Sequence, residues 1–213
     1  MSHSTARSGH HAEIADVLRR TQAALRRAEL ALEDLQQASN RERRVAAMHN
    51  VVVTGRSTTF VLQNLRSIAP NFDAWYDPWQ DEMRRDPLLK YLKDLRNEIE
   101  KQGREGAVNK GFIENFNTSR DIPPAPPNAV AFFLGDENGG SGWEVRLEDD
   151  TIQKIYLELP ERIGRFWLAF ENLPEENLGS PIADDSLENI CRLYVQYLER
   201  LVDAAQREWG PPA

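Results

Sequence analysis

The chain has 213 residues, 40% of them hydrophobic and 28% charged, and a net charge of −8. That is enough chain to bury one good core, and the composition is that of a globular protein rather than a disordered one. No apolar run approaches the ~20 residues a membrane span needs. One cysteine, Cys191, excludes an internal disulfide.

The polar start MSHSTARSGHH lacks the apolar stretch of a secretory signal and reads as a frayed tail, so a cytoplasmic protein is expected. From about His11 to Ala38, apolar residues at Ile14, Val17, Leu18, Leu25, Ala28, Leu32 and Leu35 keep helical spacing. Ser39-Asn40 supplies turn and N-cap chemistry for a second long helix running to about Ala69. Its seam is Val45, Met48, Val52, Gly55, Thr59, Leu62 and Leu65, and Gly55 would let a neighbouring helix approach closely. So short a link predicts that the two helices pair as an antiparallel hairpin.

Phe72, Trp75, Tyr76 and Trp79 share the next helical face, with Pro78 among them. Packing against the hairpin is the expected role, and a stacked small-molecule ligand is the alternative. Asp86-Pro87 opens a further helix whose inner stripe is Leu88, Leu92, Leu95 and Ile99, and Gly103 ends it.

The run Ile122-Pro123-Pro124-Ala125-Pro126-Pro127 is a stiff, extended connector. Beyond it, Ala129–Leu134, Trp143–Leu147 and Ile152–Leu159 read as strands, with a loop at Asp136–Gly142. Residues 160–170 fit either a strand or a short helix. Asp185 with Glu188 resembles a capping box. It opens a last helix striped by Leu187, Ile190, Cys191, Tyr194, Leu198, Leu201 and Ala205 and closed by Gly210-Pro211-Pro212.

Charge is split along the chain. Residues 1–120 carry 19 Lys/Arg against 16 Asp/Glu, whereas residues 121–213 carry 7 against 18. The acidic second half argues against nucleic acid covering the whole surface and leaves the first half free to meet phosphate. With one Cys and four His there is no zinc spacing, and no phosphate-loop, nucleophile-elbow or dinucleotide pattern occurs. No cofactor and no metal are expected.

The helix after Pro87 contains Leu95-Arg96-Asn97-Glu98-Ile99-Glu100-Lys101. Arg96-Asn97 resembles the start of the signature of the HEPN superfamily, in which Arg and a polar residue precede a His by four to six intervening positions. Here Lys101 stands where the histidine of the shortest spacing would be. The likeness covers about six residues in motif, and in architecture the first 120 residues. It implies a small helical bundle that forms a homodimer, brings its motifs together in a cleft, and acts on RNA in a bacterial defence or toxin–antitoxin type system. The Arg would steady charge on the scissile phosphate, and the His would assist attack by a ribose 2′-hydroxyl.

The residues themselves set limits on that chemistry. Arg96 could fork onto phosphate oxygens and Asn97 could add a donor. Arg96 could equally form an i,i+4 ion pair with Glu100. Lysine cannot serve as a neutral proton shuttle near pH 7 unless its surroundings lower its pKa by several units. His49, on the second helix, is the only histidine outside the first eleven residues and the one candidate to restore an acid–base group. A structural role for it is the competing reading. The basic clusters Arg19-Arg20, Arg26-Arg27 and Arg41–Arg44 are candidate backbone contacts if RNA binds.

These readings predict a mainly α fold. A HEPN-like helical bundle would occupy residues 1–121. Residues 122–213 would hold the Pro-rich connector, a small antiparallel β meander and a C-terminal helix packing back on the bundle, all in one compact unit. Two functions are expected as alternatives. One is an RNA-associated HEPN-like protein with weak or lost ribonuclease activity, its candidate site formed by Arg96, Asn97, Lys101 and His49. The other is a non-catalytic protein–protein interaction module whose acidic half binds a protein partner.

Overall fold

A computed structural model describes residues 2–160 and 162–210, with side chains from residue 10 onward. More than half of the chain is helical, and the sheets are small and antiparallel. The chain forms two compact units, Met1–Gly106 with Asn172–Ala213, and Ala107–Glu171. The division thus falls at 106/107 and 171/172, where the sequence reading set it at 121/122.

In the first unit, α1 (Ser2–Gln37) and α2 (Arg41–Leu62) pack along their lengths as a hairpin. The segment expected as a frayed tail is helical from Ser2 on. The Asn40 side chain caps α2 by accepting from the Arg43 amide at 2.9 Å. The whole predicted seam is buried, from Val45 to Leu65. Past Leu62 the backbone tightens into a 3₁₀ turn, Gln63–Ser67, so α2 ends earlier than the spacing predicted.

Two further helices follow, α3 (Phe72–Arg85) and α4 (Pro87–Gln102). Asp86 caps α4 through the Leu89 amide at 2.7 Å, and Gly103, at φ +64°, ends it in the left-handed conformation that glycine adopts at little cost.

Between these helices and the chain end, a short stretch of the first unit forms the two-residue strands Glu176–Asn177 and Ser180–Pro181. The final helix is Leu187–Trp209. Its N-cap is Ser186, which accepts from the Asn189 amide at 3.3 Å, one residue later than the Asp185 expected from sequence. Glu188 is not a capping partner. It receives Arg44 Nε at 3.1 Å and Nη2 at 2.6 Å, joining the last helix to α2. This last helix buries ten side chains, three more than its predicted stripe, because it packs on both α1 and α2. Each large apolar side chain buried there contributes roughly 1.5–3 kcal/mol.

Ile14, Val17 and Leu18 of α1 meet Leu62, Leu65, Phe72, Tyr76, Leu201 and Ala205 in one core cluster. Trp75 and Trp79 are half-buried against it. Trp75 meets Trp209 edge-on at 4.7 Å, and Trp79 meets Tyr197 at 6.0 Å. The aromatic face therefore packs inward, as the larger expectation had it.

The second unit opens with β1 (Ala107–Ile113), a strand the sequence reading left unassigned. After a single helical turn, Thr118–Asp121, come β2 (Ala129–Phe133), β3 (Ser141–Arg146) and β4 (Ile152–Leu157), the expected antiparallel meander. Residues 164–170 settle as β5 (Gly164–Phe170), which pairs with β1. Asp136 closes the β2–β3 loop by accepting from the Asn138 and Gly140 amides, both at 3.0 Å. It also takes Lys154 Nζ at 2.9 Å and the Tyr156 hydroxyl at 2.8 Å.

Candidate functional site

The motif helix α4 buries Leu88, Leu89, Leu92 and Leu95, which leaves Arg96 at the edge of the apolar stripe. Its guanidinium is committed locally. Nη2 meets Glu100 Oε2 at 2.7 Å, Nη1 donates to Asn97 Oδ1 at 3.2 Å, and the group lies 5.8 Å from the Phe60 ring centre. Its Nε is buried without a partner. Asn97 therefore uses its oxygen on Arg96. Lys101 is exposed in the last turn, where a cation complements the helix C-terminus.

His49 does not join them. Its Nε2 lies 2.7 Å from the Glu105 carbonyl oxygen, which can only accept, so this nitrogen carries the proton. Arg96 stands by Phe60, eleven residues beyond His49 on α2, or about 16 Å along the axis. Within one chain the structure brings together Arg96, Asn97 and Glu100, and keeps His49 apart.

A second arrangement, missed in the sequence reading, lies on the same unit. A cleft of about 350 Å³ is lined by Arg56, Thr59, Gln63, Tyr76, Gln80, Met83, Arg84, Leu89, Lys90, Lys93 and Tyr194. Helical spacing explains the lining. Positions 56, 59 and 63 share one face of α2 and its 3₁₀ extension; 76, 80, 83 and 84 share one face of α3; and 90 and 93 are neighbours on α4. Four cations face a lining with no carboxylate. Arg84 and Lys93 have partners outside it, Asp81 at 3.6 Å and Asp94 at 3.0 Å, both well exposed and weak. Arg56 donates to Thr59 Oγ1 at 3.1 Å and lies 4.5 Å from the Phe60 ring centre.

Neutral polar groups complete the cleft. Tyr194 is only 7% exposed, and no other described residue hydrogen-bonds its hydroxyl. Burial pushes its pKa up against the opposing pull of the nearby Arg56, so the phenol stays a neutral donor. Burial likewise raises Tyr76, which is bonded to Gln63. The arrangement can bind an anion through point charges, two phenols and amide groups. It contains no general base.

Among the described residues no group of three or more His, Cys, Asp or Glu side chains could hold a metal. Among the described residues no helix is long and apolar enough to cross a membrane.

The sequence model of a family described as bacteriophage lambda protein ea47 matches residues 14–113, a little under half of the chain. No curated protein and no solved structure matches. Over the matched stretch, which holds α2, α3 and α4 and so every cleft residue but Tyr194, the chain is similar to that phage family.

Proposed function

We propose that the helical unit is a HEPN-like, RNA-binding module that has lost ribonuclease activity. The observation that carries this reading is the cleft beside the motif helix, where four cations from three helices meet without a carboxylate. Charge of that kind is what phosphate binding requires. The motif side chains support the loss of catalysis. Glu100 and Asn97 occupy Arg96, the Glu105 carbonyl engages His49, and Lys101 supplies no neutral base. The similarity to a phage family supports a place in phage–host biology, the setting in which the HEPN resemblance puts a defence protein. The homodimer belongs to the same proposal.

Incubating a mixed RNA pool with the purified protein and with Arg96→Ala tests the reading. Retained, intact RNA in both cases is the expected result. Cleavage that Arg96→Ala abolishes would restore the nuclease reading.

A second reading is favoured by the residue 107–171 unit. It exposes Phe112, Ile113, Val130, Leu147, Ile152 and Ile155, apolar side chains that a protein partner would cover. That surface suits a protein partner, and an absence of RNA binding would leave this reading standing.

A further inference from the structure

We infer that the cleft of α2, α3 and α4 is a site for a single nucleotide bearing a phosphate monoester, either free or as the 5′-terminal nucleotide of an RNA. The inference deepens the RNA-binding proposal and rests on it only for the RNA source. Three observations carry it.

Size is the first. About 350 Å³ holds roughly a dozen waters, which is the room one nucleotide needs and too little for a run of stacked bases.

Charge is the second. Arg56, Arg84, Lys90 and Lys93 converge with no carboxylate in the lining. A phosphate monoester carries close to two negative charges at neutral pH, whereas an internal diester carries one. A cluster of four cations is thus better matched to a chain end than to its middle. The Arg56 guanidinium, held by Thr59 and lying over Phe60, could present two parallel donors to the phosphate.

The third is the polar floor. Tyr194 is more than nine-tenths buried, yet its hydroxyl has no hydrogen-bond partner among the described residues. The hydroxyl is not among the fully buried unsatisfied polar atoms, so it remains a donor that the cleft can offer to a ligand oxygen. Tyr76 and Leu89 give an apolar wall for a ribose or base, with Gln80 at its edge.

The experiment titrates three probes into the full chain: a nucleoside 5′-monophosphate, a short single-stranded RNA with a 5′-phosphate, and the same RNA with a 5′-hydroxyl. Each is repeated with Lys90→Gln/Lys93→Gln, two exposed positions whose replacement leaves the core intact, as circular dichroism would verify. The phosphorylated RNA should bind at least about fivefold more tightly than the hydroxyl form. The double variant should weaken that binding about tenfold and erase the preference.

Competition by the free monophosphate at comparable concentration would identify the free nucleotide as a ligand. Competition only by phosphorylated RNA would identify the chain end. Equal binding of both RNAs, unaffected by the double variant and by the monophosphate, would overturn this inference while leaving RNA binding intact. Binding of the monophosphate with no RNA bound would sustain the inference and overturn the RNA proposal. No binding of any probe would overturn both.

Discussion

The ring of Tyr194 fills the space that a Cβ on Gly55 would occupy, so α2 and the last helix meet at a distance only glycine allows. The same contact seats Tyr194 at the base of the cationic cleft. Structure and proposed site therefore share one residue pair.

Gly55→Ala should destabilise the helical unit. Alanine gains about 1 kcal/mol in helix propensity, but overpacking against a buried ring costs about 1–3 kcal/mol. Leu198 crowds the same position and leaves Tyr194 little room to retreat. A net loss of up to about 2 kcal/mol is expected in urea denaturation, together with weaker binding in the cleft.

Asp86→Ala should cost more than an ordinary cap. Its carboxylate accepts from the Leu89 amide at 2.7 Å and from the Leu178 amide at 2.5 Å, so it both starts α4 and ties down the 172–186 segment. Losing a cap costs about 0.5–2 kcal/mol, and an amide left unsatisfied adds about 1–3 kcal/mol. A fall of about 2 kcal/mol or more in unfolding free energy is expected, with faster amide exchange at Leu178.

Acid should loosen the β2–β3 loop through Asp136. Burial alone would raise this carboxyl, but hydrogen bonds from Lys154, Tyr156 and the Gly140 and Asn138 amides outweigh it and hold the pKa at about 2. A folded-state pKa below the ordinary aspartate value of 3.8 means the stabilisation is complete above that value. It is lost as pH falls from there through about 2. Tryptophan fluorescence of the residue 107–171 unit, followed from pH 5 to pH 2, should report the change. Asp136→Asn should remove that pH dependence and lower stability already at pH 7.

Cys191 should resist thiol reagents in the folded protein. Burial pushes its thiol far above the ordinary range, with nearby Glu188 adding to the shift, and thiolate is the reactive form. Labelling by a disulfide reagent at pH 8 should be slow in native buffer and stoichiometric in urea. Fast native labelling would mean that the last helix opens from the bundle.

What could be read before the structure follows from how local each signal is. The α1–α2 hairpin was legible because its apolar spacing and the Asn40 cap lie within single elements. Gly55 pointed to a close helix approach, though not to Tyr194 as the partner. Strand β1 escaped because Ala107–Ile113 includes Asn109, Lys110 and Gly111, and only its pairing with β5 organises it. The Ser186 cap lay one residue past the expected Asp185, because Asp184 instead receives the Ser186 amide at 3.0 Å. The Arg96–Glu100 ion pair was one of two readings open from spacing alone. The cleft could not be read at all. Arg56, Arg84 and the Lys90/Lys93 pair lie on three different helices, and each alone looks like an ordinary surface charge. Folding is what makes them one site.

The most direct test of RNA binding without cleavage is a titration of fluorescently labelled single-stranded RNA at 50 and 200 mM salt, with the products run on a denaturing gel. Binding through the cationic cleft predicts an affinity that falls about threefold to sevenfold between those salts, for one or two neutralised phosphates, and RNA that stays full length. No binding at the lower salt, or cleavage that disappears in Arg96→Ala, would contradict it.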